Sequence, residues 1–223
     1  MTVSGRAGRG LSMEPSEAVH VVDDDAAVRD SIQFILESNG WRTLSYANAA
    51  AFLESPLPSV GCVVSDFHMP GMNGLQLQGQ LAQRGLRLPV IIMTGHGDVP
   101  IAVRALKAGA VDFLEKPFKD DELLLAVSEA VAVSRRAVEA DAAAEKAALR
   151  IASLTPREHE VLDLLVLGQS NKEMARALGI SPRTIDVHRA RVLEKLDVAT
   201  LPDLVRLVMA ARPAGGNAPT RAA

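Results

Sequence analysis

The sequence of 223 residues lacks several features that mark particular classes of protein. It has one cysteine, Cys62, so an internal disulfide framework and a cysteine-based zinc site are both excluded. Its five histidines lack the spacing of helical metal ligands. No apolar run approaches the roughly 18 residues of a membrane helix, and Arg6 and Arg9 precede no apolar signal-peptide core. These absences predict a soluble globular chain in the cytoplasm.

A strong excess of charge of either sign is also missing. The net charge is −3, but residues 18–131 hold 14 acidic against 8 basic side chains, whereas residues 154–208 hold 8 of each. The two halves are therefore expected to do different jobs. Because neither half is strongly basic, any contact with nucleic acid has to be local rather than a broad electrostatic attraction.

Apolar residues make up 48% of the chain, which is enough for real cores. Between residues 18 and 131, five short apolar runs alternate with five helical patterns. Continuous apolar runs such as "LPVIIM" indicate strands buried on both faces, as in a parallel sheet between two layers of helices. Asn39-Gly40 and Ala108-Gly109 are typical helix ends. The pattern predicts an α/β domain with a five-stranded parallel sheet.

Polar residues follow these strands at the edge where such sheets bind ligands. The first strand ends in three aspartates, the third in Asp66, the fourth in Thr94-Gly95, and Lys116-Pro117 follows the fifth. Three or four carboxylates, one hydroxyl and one ammonium group are therefore expected on one rim.

Asp66 lies in "VVSDFHMPGMNG", between an apolar strand and a Met-Pro-Gly turn. Alone, an aspartate beside a turn is usually a helix cap. The other carboxylates change that interpretation, because a nucleotide-binding sheet would place glycines after its first strand. Clustered carboxylates need neutralisation, and oxygen ligands suit Mg²⁺. With Mg²⁺ and Lys116 supplying positive charge, Asp66 could attack phosphorus and form an acyl phosphate.

Residues 18–131 resemble a response-regulator receiver domain. Four motifs carry the resemblance, in the order and spacing of that family: the aspartate pair, "SDFHMPGMNG", "MTGHGD" and "FLEKPF". The resemblance implies a flavodoxin-like (βα)5 fold, an Mg²⁺ cofactor and phosphorylation of Asp66. The other roles that it implies are metal ligation by Asp24, Asp66, the backbone carbonyl of His68 and, through water, Asp23, phosphate contacts by Thr94 and Lys116, and a switch at Phe113.

His68 departs from the family pattern, in which Arg, Lys or Asn often stands two residues after the phosphoacceptor. An imidazole at this position leads to the hypothesis that the lifetime of the phosphoryl group is altered or depends on pH.

The remaining half predicts a helical domain at residues 154–210. Residues 132–153 are rich in alanine and charge, which favours a helical or semi-rigid linker. Thr155-Pro156 with Glu158 predicts a helix start, Gly168 its end, and 171–178 a second helix. Ser181-Pro182 opens a third, which gives helix-turn-helix spacing. The flanking segments 1–17 and 211–223 are expected to be disordered.

The third helix has two distinct faces on a helical wheel. Ile185, Val192 and Leu196 fall on one side, with His188 at its edge, and the opposite side carries short and cationic residues. This arrangement suits a helix in a DNA major groove, although a surface helix of mixed charge would look similar.

Three segments resemble the LuxR-type helix-turn-helix of NarL/FixJ response regulators: "LTPREHEVL", "SNKEMARALGIS" and "RTIDVHRARVLEKL". The resemblance implies base reading by Asp186, Val187 and Ala190, and phosphate contacts by Lys172, Arg183, Thr184 and Arg191. For Asp186 two roles remain, accepting a hydrogen bond from a cytosine amino group or orienting an arginine, of which we favour the second.

Together, the resemblances predict a transcription regulator and not an enzyme. Its expected partners are a sensor histidine kinase, promoter DNA, RNA polymerase and, after phosphorylation, a second copy of the chain. One alternative is an Mg²⁺-dependent aspartyl-phosphate phosphatase, but such enzymes carry a second aspartate where this chain has His68. The other alternative is a regulator that works without phosphorylation.

Overall fold

The computed structural model describes residues 17–56, 60–95 and 99–211. Residues 1–16 and 212–223, for which disordered tails are expected, lie outside the described residues. The chain divides into two compact units at Val138 and Glu139. No helix of the described part of the chain is both long and apolar enough to span a bilayer.

Unit 1 alternates strands and helices as the pattern predicts. Its strands are β1 (Glu17–Val22), β2 (Thr43–Tyr46), β3 (Val60–Asp66), β4 (Val90–Thr94) and β5 (Asp112–Glu115). Its helices are α1 (Ala26–Ser38), α2 (Ala49–Glu54), α3 (Gly74–Gln83), α4 (Val99–Lys107) and the first half of α5 (Asp120–Ala152). The strands form one parallel sheet in the order β2-β1-β3-β4-β5, which confirms the predicted α/β fold.

The three central strands of the sheet, β1, β3 and β4, are buried on both faces. Alternate residues of one strand enter different apolar clusters: Val64 packs with residues of α1 and α5, whereas its neighbour Val63 packs with residues of α2 and α3. This two-sided burial is why the strands have continuous rather than alternating apolar sequences.

Unit 1 extends beyond the boundaries expected at residues 18 and 131. Glu17, expected in the disordered tail, begins β1 and is buried. Its buried carboxylate is compensated by two hydrogen bonds from Arg135, at 2.9 and 2.8 Å. Ser134 accepts a hydrogen bond from the amide of Gly61 at 3.1 Å. Helix α5 continues without interruption to Ala152, so nearly all of the segment expected to be a linker is helical.

Unit 2 contains the last part of α5 and four further helices: α6 (Pro156–Val166), α7 (Asn171–Leu178), α8 (Pro182–Leu196) and α9 (Leu201–Ala211). The capping residues expected from sequence are present, since Thr155 and Ser181 each accept a hydrogen bond from a backbone amide of the first turn. Ser170 caps α7 in the same way. Helix α9 was not singled out by the helix-turn-helix pattern. Leu204 and Val208 anchor it in the same apolar cluster as α6, α7 and α8.

His20 is a buried histidine at the β1–β2 side of the sheet. Its ring stacks on Tyr46 and meets Phe52 edge-on, and Nδ1 lies 3.1 Å from the Tyr46 hydroxyl. Nε2 is buried and has no hydrogen-bond partner in the described part of the chain. Burial, and secondarily the charge of Arg42, lowers the pKa of His20 to about 4.

We expect this histidine to make unit 1 less stable in acid. The folded pKa lies below the ordinary value of 6.5, so the stabilisation is complete above pH 6.5 and is lost as the pH falls towards 4. Between about pH 7.5 and about pH 5 the loss is about 2 kcal/mol. Urea unfolding followed by the fluorescence of Trp41, the only tryptophan, measures it. His20→Phe should lack this part of the pH dependence; equal pH dependence in both proteins would refute the assignment.

Candidate functional site

One ammonium group lies between two carboxylates at the carboxyl ends of the strands. Lys116 Nζ donates to Asp23 Oδ2 at 2.7 Å and to Asp66 Oδ1 at 2.6 Å. Asp23 follows β1 and Asp66 ends β3, so the parallel sheet brings together groups that lie far apart in sequence. Asp23 is 1% exposed and Asp66 8%, which leaves Asp66 the more accessible of the two carboxylates.

The electrostatics of this pocket favour a charged lysine. Burial by itself opposes the charged form, but hydrogen bonds and ion pairing with Asp23 and Asp66 outweigh it and raise the pKa of Lys116 above its usual value. The lysine therefore carries its positive charge at neutral pH. It offsets the repulsion between the two carboxylates and provides a cation beside the oxygen of Asp66.

The loop after β1 is held by its own backbone contacts. Asp25 caps α1, and its amide donates to Asp23 Oδ1 at 2.9 Å. Arg29 Nη1 donates to the Asp23 carbonyl oxygen at 2.7 Å. Arg29 was not predicted from the sequence. Its position in the helix directly after three aspartates could have indicated a role in holding their loop. Asp24, expected among the metal ligands, has an exposed side chain.

The segment after Asp66 positions the other oxygen of its carboxylate. The amide of His68 donates to Asp66 Oδ2 at 2.6 Å, while the His68 side chain is exposed and its ring lies edge-on to Phe67. Asn73 caps α3, whose first residue, Gly74, passes close to the strand. A Cβ on Gly74 would lie 2.8 Å from the Asp66 carbonyl oxygen, so glycine is required for this close approach.

Thr94 and Phe113 lie on the neighbouring strands. Thr94 is buried at the end of β4, and its carbonyl oxygen accepts a hydrogen bond from the Lys116 amide at 2.8 Å. Phe113 is on β5 and is 37% exposed, so it is not simply a core residue. Residues 96–98, the second half of the "MTGHGD" motif, lie outside the described residues.

The donor set of the pocket is compatible with Mg²⁺. Asp23 and Asp66 present carboxylate oxygens in the pocket, and the exposed side chain of Asp24 and the backbone carbonyl of His68 are the other expected ligands. Within residues 17–56, 60–95 and 99–211, no group of three His, Cys, Asp or Glu side chains is arranged to hold a metal. A site built on two carboxylates suits Mg²⁺, which retains several waters, better than a metal that requires a cage of protein side chains.

In unit 2, helix α8 separates an apolar from a polar face as the helical wheel predicts. Ile185, Val192 and Leu196 are fully buried, and Val187 is 46% exposed. The remaining side chains expected at DNA are also exposed, namely those of Lys172, Arg183, Thr184, Asp186, Ala190 and Arg191. The exposed face of α8 therefore carries short and cationic residues together with the acid Asp186.

Asp186 is engaged within the domain. Its Oδ1 accepts a hydrogen bond from Nδ2 of Asn171, and Asn171 Oδ1 accepts one from Nη1 of Arg189. The carboxylate is thus linked to an arginine, the role favoured for Asp186, and the link runs through the amide of Asn171. Sequence reasoning did not identify Asn171 or Arg189.

An ion pair between a buried glutamate and an exposed lysine connects α6 with α8. Glu158 is 3% exposed, and its Oε2 accepts hydrogen bonds from Lys195 Nζ at 2.7 Å and from the Thr155 amide at 2.8 Å. The Lys195 hydrogen bond, followed by that from Thr155, lowers the pKa of Glu158 to about 2. The pair fixes α8 against the helix that precedes the helix-turn-helix.

Comparison with known families finds one match for each unit. Residues 19–128 match the response regulator receiver domain, and residues 152–208 match the bacterial regulatory proteins of the luxR family. The two matches together cover well over half of the chain.

Similar proteins match this chain over stretches long enough to include parts of both units. The transcriptional regulatory protein FixJ of Bradyrhizobium diazoefficiens is 49% identical over 194 residues, which are 86% of this chain and 95% of FixJ. The transcriptional regulatory protein TdiR of Thauera aromatica is 40% identical, with 87% and 86% covered. Among solved structures, the response regulator StyR has a TM-score of 0.74 at 40% identity, with 87% of this chain and 98% of StyR covered. Full-length FixJ from B. japonicum has a TM-score of 0.55 at 48% identity, with 89% and 98% covered.

Proposed function

This chain belongs to the NarL/FixJ response regulators, and we propose that it carries out their phosphorylation-controlled regulation of transcription with Asp66 as the phosphoacceptor. The observation that supports this choice is the Lys116 ammonium group, which bonds both Asp23 and Asp66 at the ligand-binding edge of the sheet. A DNA-binding unit on the same chain provides the output.

Phosphorylation is a transfer from a phosphohistidine of a sensor histidine kinase. A carboxylate oxygen of Asp66 forms a bond to phosphorus as the bond from phosphorus to the kinase histidine breaks, and the product is an acyl phosphate. Lys116 is already charged and beside the attacking oxygen, so it compensates the phosphoryl charge without a large rearrangement. The Thr94 hydroxyl is the expected donor to a phosphoryl oxygen.

Mg²⁺ is the proposed cofactor, held by Asp23, Asp24, Asp66 and the carbonyl of His68. It supplies positive charge that neutralises the phosphoryl oxygens and the clustered carboxylates. The residues of the chain orient this chemistry: Asp25 and Arg29 fix the loop of Asp23, and the His68 amide fixes the carboxylate of Asp66.

Dimerisation is the proposed link between phosphorylation and DNA binding. Apolar side chains are exposed on α4, β5 and α5 of unit 1, namely Val103, Leu106, Phe113 and Leu125. Phe113 also lines a cavity of about 530 Å³ between β5 and α5, which gives its ring room to change position as the switch. A second copy would cover this surface, and two DNA-binding units would then reach two half-sites.

The phosphatase alternative gains no support from the pocket. Such an enzyme needs an acid two residues after the nucleophile, and this chain has His68 there, with an exposed side chain. We therefore propose a regulator that is not an enzyme. It acts in the cytoplasm, with RNA polymerase as the partner that responds to the bound dimer.

The proposal is tested by measuring the DNA affinity and the size of the full chain. Both are measured with and without acetyl phosphate and Mg²⁺. The probe is a duplex selected from a randomised DNA library by the phosphorylated protein. We expect dimerisation and an affinity gain of about 5- to 150-fold, the usual range of allosteric coupling. Asp66→Asn is the control and should not respond. A wild type that selects no duplex would refute DNA binding, and an affinity unchanged by acetyl phosphate would refute phosphorylation control.

A further inference from the structure

We propose that Asn171 is a positioning residue that sets the base preference of α8, although it lies on a different helix. The inference rests on the proposed function, since it assumes that α8 reads DNA. Asn171 is the first residue of α7, and it joins Asp186 and Arg189, which are three residues apart on α8.

The start of α7 is held firmly enough to serve as a support. Ser170 and Glu173 form a reciprocal capping box: the Ser170 hydroxyl accepts from the Glu173 amide, and Glu173 Oε2 accepts from the Ser170 amide at 2.7 Å. Met174, in the same turn, is fully buried in the core of unit 2. The backbone of Asn171 is therefore fixed relative to α8, and its side chain is a short link with few rotamers.

An amide is the side chain that suits this link. Its NH₂ group donates to the carboxylate of Asp186, and its carbonyl oxygen accepts from the guanidinium group of Arg189. An alanine would satisfy neither partner, and a carboxylate would repel Asp186 while still accepting from Arg189. Asparagine therefore holds an acid and a base of the same helix in fixed positions.

The fixed acid has a consequence for recognition. Asp186 is exposed and directly precedes Val187 on the outer face of α8. A carboxylate held by Asn171 has one oxygen already engaged, whereas a released carboxylate is free to turn and accept from a cytosine amino group. Rotation of the Asp186 carboxylate would also change which groups of the DNA the neighbouring residues of α8 contact. Loss of Asn171 should therefore change which bases are preferred, and not only how tightly DNA is bound.

Selection from a randomised duplex library by the full chain, treated with acetyl phosphate and Mg²⁺, tests this inference. We expect Asn171→Ala and Asn171→Asp each to change the preference at one or more base positions by about 5-fold or more. In an Asp186→Ala background, Asn171→Ala should change the preference no further. Asn171→Asp has the same size and places a negative charge at a helix N-terminus, where it is favourable, so it should fold.

Lys172→Ala is the matched control from the adjacent residue. As a phosphate contact, Lys172 should affect all sequences equally, with a weaker salt dependence and an unchanged base preference. The inference is overturned if both Asn171 variants keep the base preference of the wild type, whatever happens to their affinity or melting temperature. It is also overturned if Asn171→Ala has the same effect on preference with and without Asp186. A wild type that selects no motif contradicts the proposed function itself.

Discussion

Replacing Asp66 with asparagine is expected to abolish phosphorylation of the chain. The amide is neutral and is not a nucleophile towards phosphorus, whereas the carboxylate is both charged and held by Lys116 and the His68 amide. Lys116 would keep its bond to Asp23, so the variant should fold. Intact mass after incubation with acetyl phosphate and Mg²⁺ should show one added phosphoryl group in the wild type and none in Asp66→Asn. Hydroxylamine, which cleaves acyl phosphates, should remove the group.

Asp30→Asn is the matched control for this experiment. Asp30 is an exposed carboxylate on α1, and the substitution makes the same change of charge in the same unit. We expect it to be phosphorylated like the wild type. Equal phosphoryl uptake by Asp66→Asn and the wild type would contradict the assignment of Asp66 and would direct attention to another acid in the pocket.

Replacing Lys195 with methionine is expected to destabilise unit 2 by about 1.5 kcal/mol, because Glu158 is buried but the lysine itself is exposed to solvent. The carboxylate of Glu158 is 3% exposed. The substitution removes its hydrogen bond from Lys195 and leaves the one from the Thr155 amide. An uncompensated buried charge is more costly than the loss of the ion pair itself. Glu158→Gln should cost less, because its side-chain oxygen can still accept from both Lys195 and Thr155.

Parallel urea titrations separate the two units. The fluorescence of Trp41 reports unit 1, whereas circular dichroism reports the helices of both. Lys195→Met should shift the circular dichroism transition and leave the Trp41 transition in place. Lys146→Met, which removes an exposed lysine of unit 2, should shift neither. If Lys195→Met is as stable as Lys146→Met, the ion pair contributes nothing and this account of α8 is wrong.

The pair also gives unit 2 a defined sensitivity to acid. The folded pKa of Glu158, about 2, lies below the ordinary value of 4.5, so its stabilisation is present above pH 4.5. It is lost as the pH falls from 4.5 towards 2. Glu158→Gln should lack this part of the acid response, since it has no carboxyl group to protonate.

Local sequence determined the elements of this protein and the order of its candidate site residues. Strand burial follows from continuous apolar runs, and the caps at Thr155 and Ser181 follow from the residue types preferred at helix starts. The buried face of α8 follows from a period of 3.6 residues, which correctly gave Ile185, Val192 and Leu196. These features depend on neighbours within about two turns, so the pattern carries them. The carboxylates and the lysine at the strand ends indicated the chemistry of Asp66, and the family resemblance assigned it the role of phosphoacceptor.

Tertiary structure decided which of these side chains form hydrogen bonds with one another. Lys116 is 93 residues from Asp23, Arg135 is 118 residues from Glu17, and Asn171 reaches α8 across the turn between two helices. Each contact depends on the register of the sheet or on how helices pack, and shifts of a few ångström would exchange one partner for another. Sequence therefore placed Asp186 on the outer face of α8, but only packing could show that Asn171 holds it there.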